Sequence, residues 1–384
     1  MPRRQLIGTN VYGAALERML ALYQDDNRVI VSFSAGKDSG VTVELAIQAA
    51  RQVGRLPVEV VMRDEEIMFP GTFEYAARVA DRSEVDFRWI SARQPVLNVF
   101  NRARPYFWVF DPEIDSTQWV RQPPTYMEWV PEQNIEALVT PERYPVGDGQ
   151  PLICVIGLRA TESAARRMAI WSSRGYLTKP TRRGVIKARP IYDWLDADVW
   201  KAHQEFGWDY NHAYDTMLRM GITQPKQLRI APPTMNVHGA PLLQVAAKAW
   251  PEWFDRVATR LPGCRAAANF GDAVLKARRN SGETWEETFE RECVRDAPAW
   301  IAERSQTARD HVLRQHRKHS RSPLPQSKPC SASGCTENKS SWRKLTNVMY
   351  DGNPWSVASM HALPIVEPEF FREGSGTWDG KPNW

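Results

Sequence analysis

The sequence predicts an α/β fold: a doubly wound, mainly parallel five-stranded sheet followed by a mostly helical C-terminal region. Three observations predict it. Short Val/Ile-rich runs alternate with stretches of helical period as far as residue 206; two of those runs end in small-residue turns that open helices, at 34–39 and 157–163; and beyond Pro232-Pro233 the strand signal fades while helical periodicity continues. Short, continuous apolar strands are those covered on both faces of a parallel sheet, and right-handed crossovers then set the helices on its two sides.

The elements follow in order. Ala15, Leu16, Met19, Leu20 and Tyr23 recur at helical spacing, so 12–23 is expected as a helix, ended by Gln24-Asp25-Asp26-Asn27. Strand 28–33, helix 40–53, a turn at Gly54, strand 58–62, helix 72–82 and strand 85–90 complete a β-α-β-α-β run. Residues 94–150, rich in proline and in aromatics such as Trp108, Trp119 and Trp129, lack regular period and are expected as an insertion, a lid over a ligand. Strand 152–157, helix 161–171, strand 185–188 and helix 196–206 resume the alternation. Helices are expected over 241–257, 264–279 and 285–318, a loop over 320–341, and weak order in the last dozen residues. Two domains are expected, 1–235 and 236–384, since 384 residues exceed an ordinary single domain.

Composition narrows the function classes. No apolar run approaches the roughly 20 residues of a membrane helix, and the N-terminus Met1-Pro-Arg-Arg-Gln lacks a secretory apolar stretch, so a cytoplasmic protein is expected. Five cysteines at 154, 264, 293, 330 and 335 do not suggest a disulfide framework. The net charge of +5 is local: residues 301–350 hold ten Lys/Arg against three Asp/Glu, which suits a polyanion such as nucleic acid as well as it suits a solvated surface.

Ser34-Ala35-Gly36-Lys37-Asp38-Ser39 reads as a phosphate cradle. A strand that ends in a tight turn and opens a helix leaves backbone N–H groups and the positive end of the helix dipole aimed at one spot. Ser34 and Ser39 add hydroxyls, Lys37 a cation, and Gly36 close backbone approach. A Walker A loop is excluded, because Val31 stands where its first glycine belongs and Asp38 where Ser or Thr must follow the lysine. Gly157-Leu158-Arg159-Ala160-Thr161-Glu162-Ser163 is the second such turn. If its strand neighbours the first, both turns face one crevice, where Arg159 can grip phosphate bidentately and Glu162 can cap the helix or hold Arg159.

Both segments resemble the motifs of the phosphoadenosine phosphosulfate (PAPS) reductase family and the adenine nucleotide alpha hydrolases: the PP-loop Ser-x-Gly-Lys-Asp-Ser, and Gly-x-Arg-x-x-Glu-Ser. Asp64, Phe69, Pro70 and Thr72 align with the family's Asp-Thr-Gly-x-x-Phe-Pro-Glu-Thr after a one-residue difference. Pro190-Ile191, Trp194, Asp198, Val199 and Trp200 resemble its Pro-Ile-x-x-Trp-x-x-x-Asp-Val-Trp. The resemblance spans about 28–215. It implies that Ser34, Gly36, Lys37, Asp38 and Ser39 hold phosphates of ATP or PAPS, that Asp38 positions Mg²⁺, that Asp64 lies near the ribose or the metal, and that Arg159, supported by Glu162 and Ser163, contacts the phosphate or sulfate end. Lys37, Asp38 and Arg159 are then the catalytic candidates.

The chain departs from true sulfonucleotide reductases, which carry a Glu-Cys-Gly-Ile-His segment and, in some, paired cysteines for an iron–sulfur cluster. Neither occurs, so no such cluster is expected. The helical extension resembles that of the immunoglobulin-binding regulator A type, which implies a ParB/sulfiredoxin-like partner. His316-x-x-His319 with Cys330-x4-Cys335 matches no common zinc finger, and zinc is not expected. The favoured reading is Mg-dependent splitting of ATP into AMP and pyrophosphate, with possible adenylation of a second substrate. The alternatives are a thiol-dependent PAPS or adenylylsulfate reductase and a non-catalytic, nucleotide-binding regulator acting with nucleic acid or the ParB-like partner.

Overall fold

A computed structural model describes residues 8–351, apart from 93–94, 99, 104–105, 131–137, 174, 224–227, 231, 233–239, 272–275 and 336–340. In chain order the elements are α1 (Val11–Gln24), β1 (Arg28–Phe33), α2 (Lys37–Val53), β2 (Val58–Arg63), α3 (Thr72–Ala80), β3 (Val85–Ser91), β4 (Pro95–Leu97), β5 (Tyr106–Trp108), β6 (Glu128–Trp129), β7 (Leu152–Val155), α4 (Ala164–Ser173), β8 (Val185–Ala188), α5 (Asp196–Glu205) and α6 (Ala213–Arg219). Then come α7 (Ala240–Ala249), α8 (Pro251–Arg260), α9 (Cys264–Phe270), α10 (Trp285–Phe289), α11 (Ala299–Arg317) and α12 (Trp342–Met349). The chain divides into two compact units, Met1–Arg93 with Pro112–Pro232, and Gln94–Asp111 with Pro233–Trp384.

The first unit is an α/β sheet of six parallel strands in the order β6-β3-β2-β1-β7-β8. The five expected strands are all present. The sixth, β6, adds two residues at the edge beside β3, pairing Glu128 with Ile90 and Trp129 with Ser91. Both of its side chains are exposed, so it carries no apolar signature. The chain runs outward from β1 through β2 and β3 to β6, then returns to the other side of β1 with β7 and β8. The winding direction therefore reverses between β1 and β7, whose parallel pairing is Arg28 with Leu152 through Val31 with Val155.

Burial explains the strand composition. All four residues of β7 are buried, as are four of six in β1, because helices or loops cover both faces. On one face Ile30, Val61, Ile90, Leu152 and Val185 form a core that is completed by Val130, Val139 and Tyr144. Part of the aromatic segment 94–150 thus covers the sheet, while its 94–111 portion belongs to the second unit as the antiparallel β4–β5 pair. Gly54, at φ +71°, ends α2 by donating its N–H to Ala50 and Arg51 carbonyls.

The second unit is mainly helical, with breaks where proline and glycine dictate. The stretch expected as one helix over 241–257 divides at Trp250-Pro251, where Pro251 opens α8 because its missing N–H costs nothing in a first turn. The helix expected over 264–279 stops at Gly271. The one expected over 285–318 becomes α10, a π-helical turn at Glu290–Arg295, and α11 beginning after Pro298. Phe289, Val312, Leu324, Trp342 and Leu345 form the core of this end. The last dozen residues lie outside the described ones. Among the described residues no helix is long and apolar enough to cross a membrane.

Candidate functional site

The turn after β1 is built by its own hydroxyl. Ser39 Oγ accepts the N–H of Ser34 and of Gly36, each at 3.2 Å, and lies 3.0 Å from the Gly36 carbonyl. The Ser39 hydroxyl is therefore committed to shaping the loop, whereas Ser34 is exposed at its rim. Ala35 adopts the left-handed conformation at φ +54°, an arrangement that costs a non-glycine residue about 1–2 kcal/mol. Its carbonyl accepts the Asn211 side-chain amide at 3.1 Å, and Asn211 is held in turn by Thr72 Oγ1 and the Ala213 N–H.

Further support comes from α5 and α6. Tyr214 Oη accepts the Lys37 N–H at 3.3 Å, and burial pushes this phenol up, so it stays a neutral hydroxyl. His203 Nε2 lies 3.0 Å from the Lys37 carbonyl. A carbonyl only accepts, so Nε2 carries the proton. His203, Asn211 and Tyr214 form a brace that local sequence reasoning missed, since nothing within a few positions of each residue points to Lys37.

The second turn meets the first backbone to backbone. A Cβ on Gly157 would stand 2.9 Å from the carbonyl carbon and oxygen of Asp38 and from the Ser39 nitrogen, so only glycine fits. Glu162 Oε1 accepts the Arg159 N–H at 3.0 Å and pairs with Arg166. Ser163 Oγ accepts the Arg166 N–H at 3.1 Å at the start of α4, and Ser163 does not line the crevice.

A third loop, 189–196, closes the site. Arg18 of α1 grips Asp193 with two guanidinium nitrogens and donates to the Pro190 carbonyl, and Trp194 donates its indole N–H to the Val11 carbonyl at 3.0 Å. The turn so pinned presents Asp196 at the start of α5. The Ala160 N–H donates to the Tyr192 carbonyl at 2.8 Å, which joins the second and third loops.

These loops bring two cations and two carboxylates together. Lys37 Nζ lies 3.2 Å from Asp38 Oδ2 and 3.2 Å from Asp196 Oδ1. Arg159 donates from Nε to Asp38 Oδ1 and from Nη2 to Asp196 Oδ1 at 3.1 Å. Each carboxylate thus touches both cations, and Lys37 and Arg159 are buried. Asp196 is a site residue that the sequence reading did not single out; an acid in the first turn of a helix that starts beside the crevice was the available signal.

The crevice has a volume of about 790 Å³, within the range of small-molecule sites. Its charged lining is Lys37, Arg159, Arg166 and Arg229 against Asp38, Glu162 and Asp196, an excess of cations. A cationic excess of this kind favours an anionic ligand. Ser34, Gly36 and Ser39 also line it, but Asp64 does not. Asp64 is buried, accepting the Trp89 indole N–H at 2.9 Å and the Glu66 N–H at 2.9 Å and pairing with Arg121. Its carboxylate organises the turn beyond β2. Asp38 and Asp196 have the hard oxygen donors a Mg²⁺ ion requires, next to cations suited to phosphate.

The phosphoadenosine phosphosulfate reductase domain family matches residues 28–110. The chain is 29% identical over 243 residues to the uncharacterized protein YbdN of Escherichia coli (strain K12), a match covering 58% of this chain and 59% of that protein. It thus spans about three fifths of that relative's length. Among solved structures it is similar to the FMN adenylyltransferase of Candida glabrata in complex with FMN and an ATP analogue, with TM-score 0.34, 10% identity and coverage of 55% of this chain and 63% of that one. It is also similar to the PAPS reductase of Candida auris, with TM-score 0.32, 15% identity and coverage of 55% and 93%. The segment that matches the phosphoadenosine phosphosulfate reductase domain, residues 28–110, includes β1, β2 and β3 of the parallel sheet and the turn at 34–39.

Proposed function

We propose that the first unit binds an adenine nucleotide at the β1/β7 crevice and splits ATP between its α- and β-phosphates, yielding AMP and pyrophosphate. The observation that carries this reading is the four-residue charge cluster Lys37, Asp38, Arg159 and Asp196 at the point where the winding of the sheet reverses. In this reaction a water oxygen bonds to the α-phosphorus and gives up a proton to solvent, the bond to the bridging oxygen breaks, and pyrophosphate leaves with the electron pair. Lys37 and Arg159 stabilise the charge that gathers on the departing oxygens. They are held in place beforehand by Asp38, Asp196 and the Glu162 cap, so little reorganisation is needed as charge develops. Asp38 and Asp196 would hold Mg²⁺, which supplies further neutralisation of phosphate charge. A hydroxyl or carboxylate in place of water would make the same step an adenylyl transfer.

The match to the PAPS reductase domain favours sulfonucleotide reduction as the second reading. Against it stands the thiol in the first unit: Cys154 is buried in β7, where burial pushes it up to about 12 and leaves no thiolate near neutrality. A regulatory role is the third, with the basic 301–350 segment engaging nucleic acid or a ParB-like protein in the cytoplasm. Incubation with Mg-ATP and separation of products is the deciding experiment. AMP and pyrophosphate in equal amounts, abolished by Lys37→Ala, support hydrolysis. Sulfite released from PAPS with a thioredoxin-type donor, and lost in Cys330→Ser or Cys335→Ser, supports reduction instead. Salt-sensitive nucleic-acid binding without turnover supports the regulator.

A further inference from the structure

In the second unit, the end of α11 and the loop after it bring three metal-ligating side chains to one point. His316, Cys330 and Cys335 each offer one ligand atom, these atoms lie within 4.8 Å of one another, and all three residues are buried. A buried cysteine is ordinarily a small apolar filler and a buried histidine a satisfied core residue. The local geometry here is more specific.

His316 Nε2 lies 2.9 Å from the Ser322 carbonyl, which can only accept, so Nε2 holds the ring proton and Nδ1 presents a lone pair. That lone-pair nitrogen is 3.8 Å from Cys335 Sγ. A metal-ligating histidine is oriented in this way, by a carbonyl on its other nitrogen. Bond lengths of about 2.3 Å to sulfur and 2.0 Å to nitrogen around a tetrahedral ion put the two ligand atoms about 3.5 Å apart, within a few tenths of an ångström of what is found. The Ala332 N–H points at Cys330 Sγ at 3.5 Å, a contact that steadies a thiolate. Gly334, at φ +76°, turns the chain back into Cys335, and a Cβ there would stand 3.3 Å from His319 Nδ1. His319 is exposed and stands beside Gly334, outside the three-atom group, so its ring would have to swing inward to reach an ion there.

We infer that His316, Cys330 and Cys335 form a tetrahedral site for a soft divalent ion of the zinc class, with His319 closing the fourth position. Two thiolates neutralise such an ion, and sulfur with imidazole selects zinc over magnesium or calcium. Binding releases the two thiol protons while both imidazoles stay neutral. The role is structural: the ion ties the 320–335 loop to α11 beside Val312, Leu324 and Trp342. The spacing argument against zinc fails because the ligands need to meet only in space, and the loop between His316 and Cys330 folds back to allow it.

The test uses the full-length protein without a metal-binding tag. Elemental analysis should find one zinc per chain. Exchange with Co²⁺ should give thiolate-to-cobalt charge transfer and the visible bands of a tetrahedral ion, lost in Cys330→Ser, Cys335→Ser and His316→Ala, with affinity at least about tenfold weaker in His319→Ala. Chelation of the unaltered protein should lower its melting temperature, restored by Zn²⁺ and not by Mg²⁺, a readout independent of whether the variants fold. A metal-free protein without cobalt bands, or a Cys330–Cys335 disulfide in protein isolated without reductant, would overturn the site. Iron in place of zinc would overturn the identity of the ion, and unchanged affinity in His319→Ala the fourth ligand.

Discussion

Arg159 Nε donates to Asp38 Oδ1, which joins the first residue of chemistry after β7 to the second residue of the helix after β1. Asp38 stands equally against Lys37. The carboxylate therefore keeps two buried like charges together in the crevice. Asp38→Ala leaves Lys37 with Asp196, and Arg159 with Asp196 and the more distant Glu162, and we expect turnover of Mg-ATP to fall at least about 100-fold, as losses of a preorganised electrostatic group do. Product analysis under saturating nucleotide checks it; activity within a few-fold of the unaltered protein refutes it.

Asp196→Asn separates metal binding from cation positioning. The amide can still accept a hydrogen bond from Arg159 but binds Mg²⁺ poorly, so the Mg²⁺ concentration for half-maximal activity should rise several-fold or more. Activity titrated against Mg²⁺ at fixed ATP measures this. An unchanged midpoint would remove Asp196 from the metal's ligands.

Gly157→Ala tests the backbone contact between the two turns. The added Cβ meets backbone atoms at 2.9 Å, which cannot swing aside as a side chain would. Overpacking of this kind costs about 1–3 kcal/mol. We expect a lower melting temperature together with weakened ATP affinity by calorimetry. Retention of both would show that the loops separate without consequence.

Ala35 offers a paired comparison at φ +54°. Ala35→Gly relieves the left-handed strain but loosens the unfolded chain, so stability should change by no more than about 1 kcal/mol. Ala35→Val places a β-branched residue in a fully buried left-handed position and should cost more than about 2 kcal/mol. Denaturant midpoints of the two variants decide the matter.

Alkaline pH should destabilise the fold. Burial pushes Cys154, Cys264 and Cys293 each up to about 12, above their ordinary value of 9.0. Groups whose folded values are raised contribute stability that is complete below the unfolded value and lost as pH rises toward the folded one. Between pH 9 and 12 each such thiol reduces stability by up to about 1.4 kcal/mol per pH unit. Buried Tyr144, raised to about 12, adds to the same trend. Urea midpoints at pH 8, 9 and 10 should therefore decline, and iodoacetamide at pH 8 should spare Cys154 until the protein unfolds.

Most of the sheet was legible in the sequence because each central strand is covered on both faces and so is apolar throughout, as Val29-Ile30-Val31 and Leu152 to Val155 are. The two turns were legible for a related reason: a helix start is satisfied within a few positions, as the Ser39 hydroxyl satisfies Ser34 and Gly36. The edge strand Glu128–Trp129 was not, since two exposed residues leave no pattern. The helix breaks at Pro251, Gly271 and Pro298 have local causes that helical periodicity alone had run through.

Local chemistry alone determined that this chain has an open α/β sheet with two tight strand-to-helix turns, because a strand, a turn and a helix start each depend on near neighbours. Only the tertiary structure decided that Asp196 joins Lys37, Asp38 and Arg159, that His203, Asn211 and Tyr214 brace the first turn, that Asp64 is buried under Trp89 and Arg121, and that His316 meets Cys330 and Cys335. Each of these meetings joins residues brought together by strand order or by a loop folding back. Such proximity is a property of the packed chain, which no window of sequence contains.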